Sequence, residues 1–230
     1  MKISCIRLYG CSGVNTGKIA SFLTETFGVQ CITSHLAYDT NMADSCAIGD
    51  IYKPHRLHDV AAPIIYNGYK LYDGYHLLDV MGDAILYDPG TFHIVFTNLL
   101  TCTYDDSDKR YHARSMISAN PSVISIPGII EAPAKSREYY VDLMTNSTDM
   151  AKYDGQFLTC DDHHALEQVM CGYCMQSIFY YECGEAFCSD KSCRLYNAHW
   201  QADLLHSQIE SGVLCAHHDV LLQRMKNAIN

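Results

Sequence analysis

The chain has 230 residues, enough for one large domain with a proper core that needs no covalent staples. A formal charge of -10 and a pI near 5.5 argue against a general nucleic-acid or anionic-membrane surface, because phosphate contacts need a basic face and no lysine/arginine cluster occurs. With 48% hydrophobic residues and no apolar run of membrane-spanning length, the composition is that of a globular protein in water.

The first residues, MKISCIRLYGCSG, alternate like a strand and lack the apolar core and small-residue cleavage site of a secretory signal. A cytoplasmic location is expected, and there the 12 cysteines do not imply disulfides. TGKIASFLTETFG places Ile19, Phe22, Leu23 and Phe27 at helical spacing, with Gly28 as the stop, and VQCITS alternates again. This strand–helix–strand opening predicts an α/β layer. The intervening GCSGVNTGKI is not a phosphate loop. Three residues lie between Gly13 and Gly17 instead of four, and Ile19 follows Lys18 where a Ser or Thr would hold magnesium.

Residues 36–76 are polar and tyrosine-rich and read as an irregular excursion. YHLLDVMGDAIL predicts a short helix, while FHIVFTNLL and SVISIPGII read as buried strands flanking a charged loop or edge hairpin, TYDDSDKRYHARSM. From residue 163 the pattern becomes helical: HHALEQVMCGYCMQSIFYYE, RLYNAHWQADLLHSQIES and AHHDVLLQRMKN. The expected fold is a single α/β (α+β) domain over 1–230. A mixed β-sheet with flanking helices fills 1–135, and a helical, Cys/His-rich, zinc-stapled part fills 136–230.

Seven of the cysteines (160, 171, 174, 183, 188, 193 and 215) fall in the last third, a clustering that favours metal binding over packing. Zinc takes four tetrahedral sulfur or nitrogen ligands, and short-spaced pairs let one loop supply two. Cys171-x2-Cys174 with Cys188-x4-Cys193 is one such set. The other joins Cys188, Cys193 and His199 to Cys215 or to His217/His218. Cys188 and Cys193 belong to both. The flanking cations Lys191 and Arg194 would favour thiolates. A redox role for Cys171-x2-Cys174 would require exposed thiols of depressed pKa.

Two polar stripes could build a catalytic metal site: His163, Glu167, Cys171 and Cys174, and His199, Asp203, His206 and Glu210. In such a site His163, His164, His199 or His206 would ligate, and Glu167 or Glu210 would be the general base. A solvated helix face is the ordinary reading of either stripe. His164-x-x-Glu167-Gln168 is similar to an inverted zincin motif with its last histidine replaced by glutamine.

Four stretches carry a family resemblance: KISCIRLYG with GKIASFLTETFG, FHIVFTNLLTCTYDD, RYHARSMISANPSVISIPGII, and CMQSIF followed by FCSDKSCRL. In this order the chain resembles the archaemetzincins, and more closely an archaeal metallopeptidase family related to them. The resemblance implies a metzincin-like fold, zinc, and a peptide or protein substrate. It also implies a structural zinc held through Cys174, Cys188 and Cys193, with Cys171 from a shifted position. The archaemetzincins hold catalytic zinc through H-E-x-x-H, two ligands one helical turn apart. That motif does not occur in this sequence. The residues therefore leave two functions open, a zinc hydrolase acting on peptides and a zinc-stabilised binding module without catalysis.

Overall fold

A computed structural model describes residues 1–56 and 62–228. The chain begins as its periodicity predicts: β1 (Cys5–Tyr9), α1 (Thr16–Phe27) and β2 (Gln30–Ser34), with β1 and β2 parallel. The Asn15 side chain caps α1 by accepting from the Lys18 N–H. Gly28 ends it in the left-handed region (φ 75°), where a residue lacking Cβ is unstrained.

The tyrosine-rich stretch at 36–76 is more ordered than expected, with residues 57–61 lying outside those described. It holds α2 (Thr40–Ser45) and the strands β3 (Ile65–Tyr66) and β4 (Tyr69–Asp73), followed by α3 (Gly74–Asp83). Asp73 ends β4 and caps α3, its Oδ1 accepting from the Tyr75 and His76 N–H groups, while Oδ2 accepts from the Tyr111 hydroxyl. FHIVFTNLL forms two strands rather than one. β5 (Thr91–Thr97) ends at a turn, and β6 (Leu100–Asp105) enters another sheet. The charged segment is an edge hairpin, β6 with β7 (Arg110–Ala113).

After β8 (Met116–Ile117), SVISIPGII is only half strand. β9 (Ser122–Ser125) yields to α4 (Ile126–Glu131), because the Ser125 hydroxyl accepts from the Gly128 N–H and Pro127 fits a helix start. Next come α5 (Arg137–Met144), a 3-10 turn at Met150–Tyr153, and α6 (His163–Cys183). The helix read at 194–211 forms only from residue 201, as α7 (Gln201–Leu205) passing directly into a π-helical turn, His206–Ser211, with α8 (Ala216–Asn227) last.

Two mixed sheets result. The first has the order β2-β1-β5-β9-β8, parallel except for the antiparallel edge strand β8. The second has the order β3-β4-β6-β7. β5 is buried at every residue, which explains why apolar residues occupy both of its faces at Phe92 and Ile94–Phe96. Phe92, Ile94 and Phe96 face the core shared with α1, α6 and α8, while Val95 faces α2 and α3. No helix among the described residues is long and apolar enough to cross a membrane.

Gly128 holds α4 against the β7–β8 connection, and a Cβ there would overlap the Arg114 carbonyl oxygen. Gly128→Ala is expected to cost about 3 kcal/mol. A denaturant midpoint unchanged from wild type would show that this contact does not constrain the fold.

Candidate metal centre

Helix α6 ends at Gly184, again left-handed (φ 79°), and the chain turns into FCSDKSCRL. Backbone bonds shape that run into a tight knuckle: Cys193 N–H donates to the Asp190 carbonyl at 3.0 Å, and Cys188 N–H to the Leu195 carbonyl at 2.8 Å. The Asp190 carboxylate accepts from the Ser192 N–H, a local turn closed by its own side chain. A second segment lies against the knuckle, tied by the Arg194 N–H to the Val213 carbonyl at 2.7 Å. Cys215 sits at the cap position of α8 and His218 lies in its first turn.

These two segments bring together Cys188, Cys193, Cys215 and His218, whose ligand atoms all lie within 4.8 Å of one another. The Cys188 and Cys215 sulfurs are 3.8 Å apart. His218 Nδ1 lies 3.7 Å from Cys193 Sγ and 3.2 Å from Cys215 Sγ. A tetrahedral zinc with Zn–S about 2.3 Å and Zn–N about 2.0 Å would separate sulfurs by ~3.8 Å and sulfur from nitrogen by ~3.5 Å. Both the donor set and the separations fit.

Backbone donors around the sulfurs favour thiolates, against the burial of Cys193. Backbone N–H groups point at the sulfurs: Asp190 at Cys188 (3.3 Å), and Leu195 (3.5 Å) and Cys215 (3.4 Å) at Cys193. Burial raises the Cys193 pKa. For Cys215 burial acts in the same sense but is outweighed, first by the His218 N–H and then by the hydrogen bonds from Cys193 and Cys188, so its pKa is lowered. Donors at the first turn of a helix do this to a thiol. Burial, and then the neighbouring His217, lower the pKa of His218, favouring the neutral imidazole that can ligate.

The remaining sequence candidates lie elsewhere. Cys171 and Cys174 are in the middle of α6, inside the main core, and belong to no group of three or more candidate ligands among the described residues. Burial pushes Cys171 up to about 11 and Cys174 well above its ordinary value, the reverse of what a redox pair needs. His199 is exposed and precedes α7, bordering a hollow of about 120 Å³ with Arg114 and Tyr173. His163 and His164 are exposed at the start of α6, and Glu167 pairs with Lys18 at 3.4 Å. The second stripe does not run as expected, because His199 precedes the helix and the helix passes into a π turn at His206. Asp203 holds Lys191 at 2.9 Å, and Glu210 holds His206 at 2.8 Å. Neither proposed base, Glu167 or Glu210, joins a ligand group among the described residues.

Arg194 also differs from expectation. Its guanidinium donates to the Gln168 and Gly212 carbonyls and stacks 4.9 Å from the Phe22 ring, and its field falls on Cys171 and Cys174. Two further groups of potential ligands occur among the described residues: Glu185/His217/His218, which shares His218, and Asp105/Asp108/His112 on the β6–β7 hairpin. A hollow of about 490 Å³, walled by Tyr139, Tyr153 and Phe157 with Glu131 and Lys135, contains none of these residues.

Cys193→Ser is expected to lose bound metal and about 4 kcal/mol together, lowering Tm by about 10 °C. Full metal content with unchanged melting would remove Cys193 from the centre. Iodoacetamide at pH 8 should leave Cys171 and Cys174 unmodified in the folded protein. Their rapid alkylation, read by peptide mass spectrometry, would contradict the buried placement.

A model of a probable metallopeptidase family (DUF6775) matches residues 6–225. The chain is similar in structure to a zinc-dependent peptidase from Methanocorpusculum labreanum, with a TM-score of 0.51 and 12% identity over 94% of this chain and 99% of that one. At that identity the likeness is one of fold. No curated protein sequence matches the chain.

Proposed function

The chain belongs to this probable metallopeptidase family, and we propose that it is a zinc protein whose metal, held by Cys188, Cys193, Cys215 and His218, is structural. The observation that carries this reading is the closed set of four protein donors. A catalytic zinc normally has three protein ligands and keeps a position open, whereas a Cys3His set leaves none. When bound there, the metal supplies cross-linking. The side chains do the rest: the N–H groups around Cys193 hold its sulfur, and the turn of α8 presents Cys215 and His218 from one side. On this reading Cys171, Cys174 and His199 are not ligands, and the protein acts on or binds peptides through its surface.

The reading also keeps the relation to archaemetzincins, an archaeal origin and a cytoplasmic location. For the relation to archaemetzincins, support comes from the cysteine segment after the long helix and from the antiparallel edge strand of the larger sheet. Reduced surroundings suit 12 cysteines that are all free.

Peptide hydrolysis is the second reading, favoured by the family and by the zinc-dependent peptidase of similar fold. It needs a second, open metal site, and Glu167 and Glu210 are its candidate bases. Elemental analysis separates the two. One zinc per chain, lost in Cys193→Ser, with no cleavage of a broad peptide library, is the expected result. Two zincs with chelator-sensitive cleavage would establish the hydrolase.

A further inference from the structure

His218 presents Nδ1 to the sulfurs, so its other ring nitrogen faces away from the centre. A neutral imidazole ligating through Nδ1 carries its proton on Nε2. That atom is buried and has no hydrogen-bond partner. The Phe179 and His217 rings flank the imidazole, with centroids 5.6 and 4.9 Å away. One carboxylate is within reach: Glu185 Oε2 lies 3.9 Å from His218 Nε2. It is held instead by His217 Nε2, at 2.8 Å.

We propose that Glu185 is a positioning residue for the metal centre. It accepts the Nε2–H of His218 when the metal is bound, and His217 competes for the same carboxylate oxygen. This rests on the zinc reading above. A movement of about 1 Å brings the oxygen to hydrogen-bond distance, and the exposed Glu185 side chain can make it without disturbing the core. The bond fixes the ring orientation and raises the basicity of Nδ1, so metal held through His218 binds more tightly. His217 draws on the same oxygen and weakens that support. The motif E-x2-C-x4-C paired with C-x-H-H thus contains a ligand set, its orienting acid and a competitor for that acid.

The test is the rate of zinc release to a chromogenic chelator, together with zinc affinity and zinc count, in the full chain. Glu185→Ala should weaken zinc about 10- to 100-fold, within the range for loss of such an outer partner. Glu185→Gln, which keeps an acceptor oxygen without the charge, should fall between Ala and wild type. His217→Phe keeps the ring contact with His218 but cannot hold Glu185, and it should release zinc more slowly than wild type. A purely packing role for residue 217 would not produce that gain. Glu185→Ala with wild-type affinity, or His217→Phe with faster release, overturns the proposal while leaving the centre itself in place. Two zincs in wild type, one of them lost in Glu185→Ala, would make Glu185 a ligand and also overturn it. If wild type binds no zinc, it is the underlying reading that fails.

Discussion

Helix α6 is buried around its whole circumference from Val169 to Phe179, and a helix so placed has no solvated face on which to carry metal-binding histidines. Its polar interior residues are used for packing. Ser177 donates back to the Tyr173 carbonyl and shares a hydrogen bond with Ser122 on β9. The ionisable groups are displaced to the ends, with His163 and His164 exposed at the start. Near the end, Glu182 accepts from the Lys2 and Ile3 N–H groups and so fixes the entry to β1. The Cys/His donors that converge in the C-terminal part accordingly come from the chain beyond Gly184.

That chain makes its centre from two short segments neither of which is sufficient. The knuckle donates two sulfurs, and the start of α8 donates a sulfur and a nitrogen. What sets their relative position is largely Arg194, whose backbone N–H reaches Val213 while its guanidinium reaches Gln168 on α6, Gly212 and the ring of Phe22 on α1. One residue thus ties the knuckle to two helices of the main core, α6 and α1. The Gln208 side chain reinforces it by donating to the Arg194 carbonyl at 2.7 Å. Gly172 on α6 is what lets it approach, since a Cβ there would overlap the Gln208 amide.

The parts of the fold legible from sequence are those where local pattern and burial agree. β1, α1 and β2 announce themselves through period and a glycine stop, and α6 through its length. The second sheet was hidden because its core is small, built around Ile48, Leu71, Leu100, Cys102 and Tyr111, and because its tyrosines mix apolar rings with polar tips. In the candidate site, Cys188 and Cys193 were legible from spacing. Cys171-x2-Cys174 and Cys215-x2-His218 are equivalent as spacings, and only their place in the fold distinguishes them. The first pair lies in mid-helix inside the main core, whereas Cys215 is half-buried at the cap of α8 with the buried His218 one turn on, beside the knuckle. Glu185 had no sequence signal, since its relevance depends on which way the imidazole of His218 faces.

The loop between Cys193 and Cys215 is itself anchored. Gln201 donates to the Ile129 and Ile130 carbonyls of α4 and accepts from the Leu158 N–H, so the loop is pinned at its middle as well as at its ends. A metal joining those ends would act as a cross-link, and a cross-link limits the disordered chain more than it strengthens the ordered one. Fraying of the last turns of α8 would break no metal bond. Opening that parts the knuckle from His218 would have to break several at once. Slow amide exchange should then divide the C-terminal part sharply, with α8 beyond His218 exchanging through local fluctuations and the enclosed loop exchanging only when the molecule unfolds.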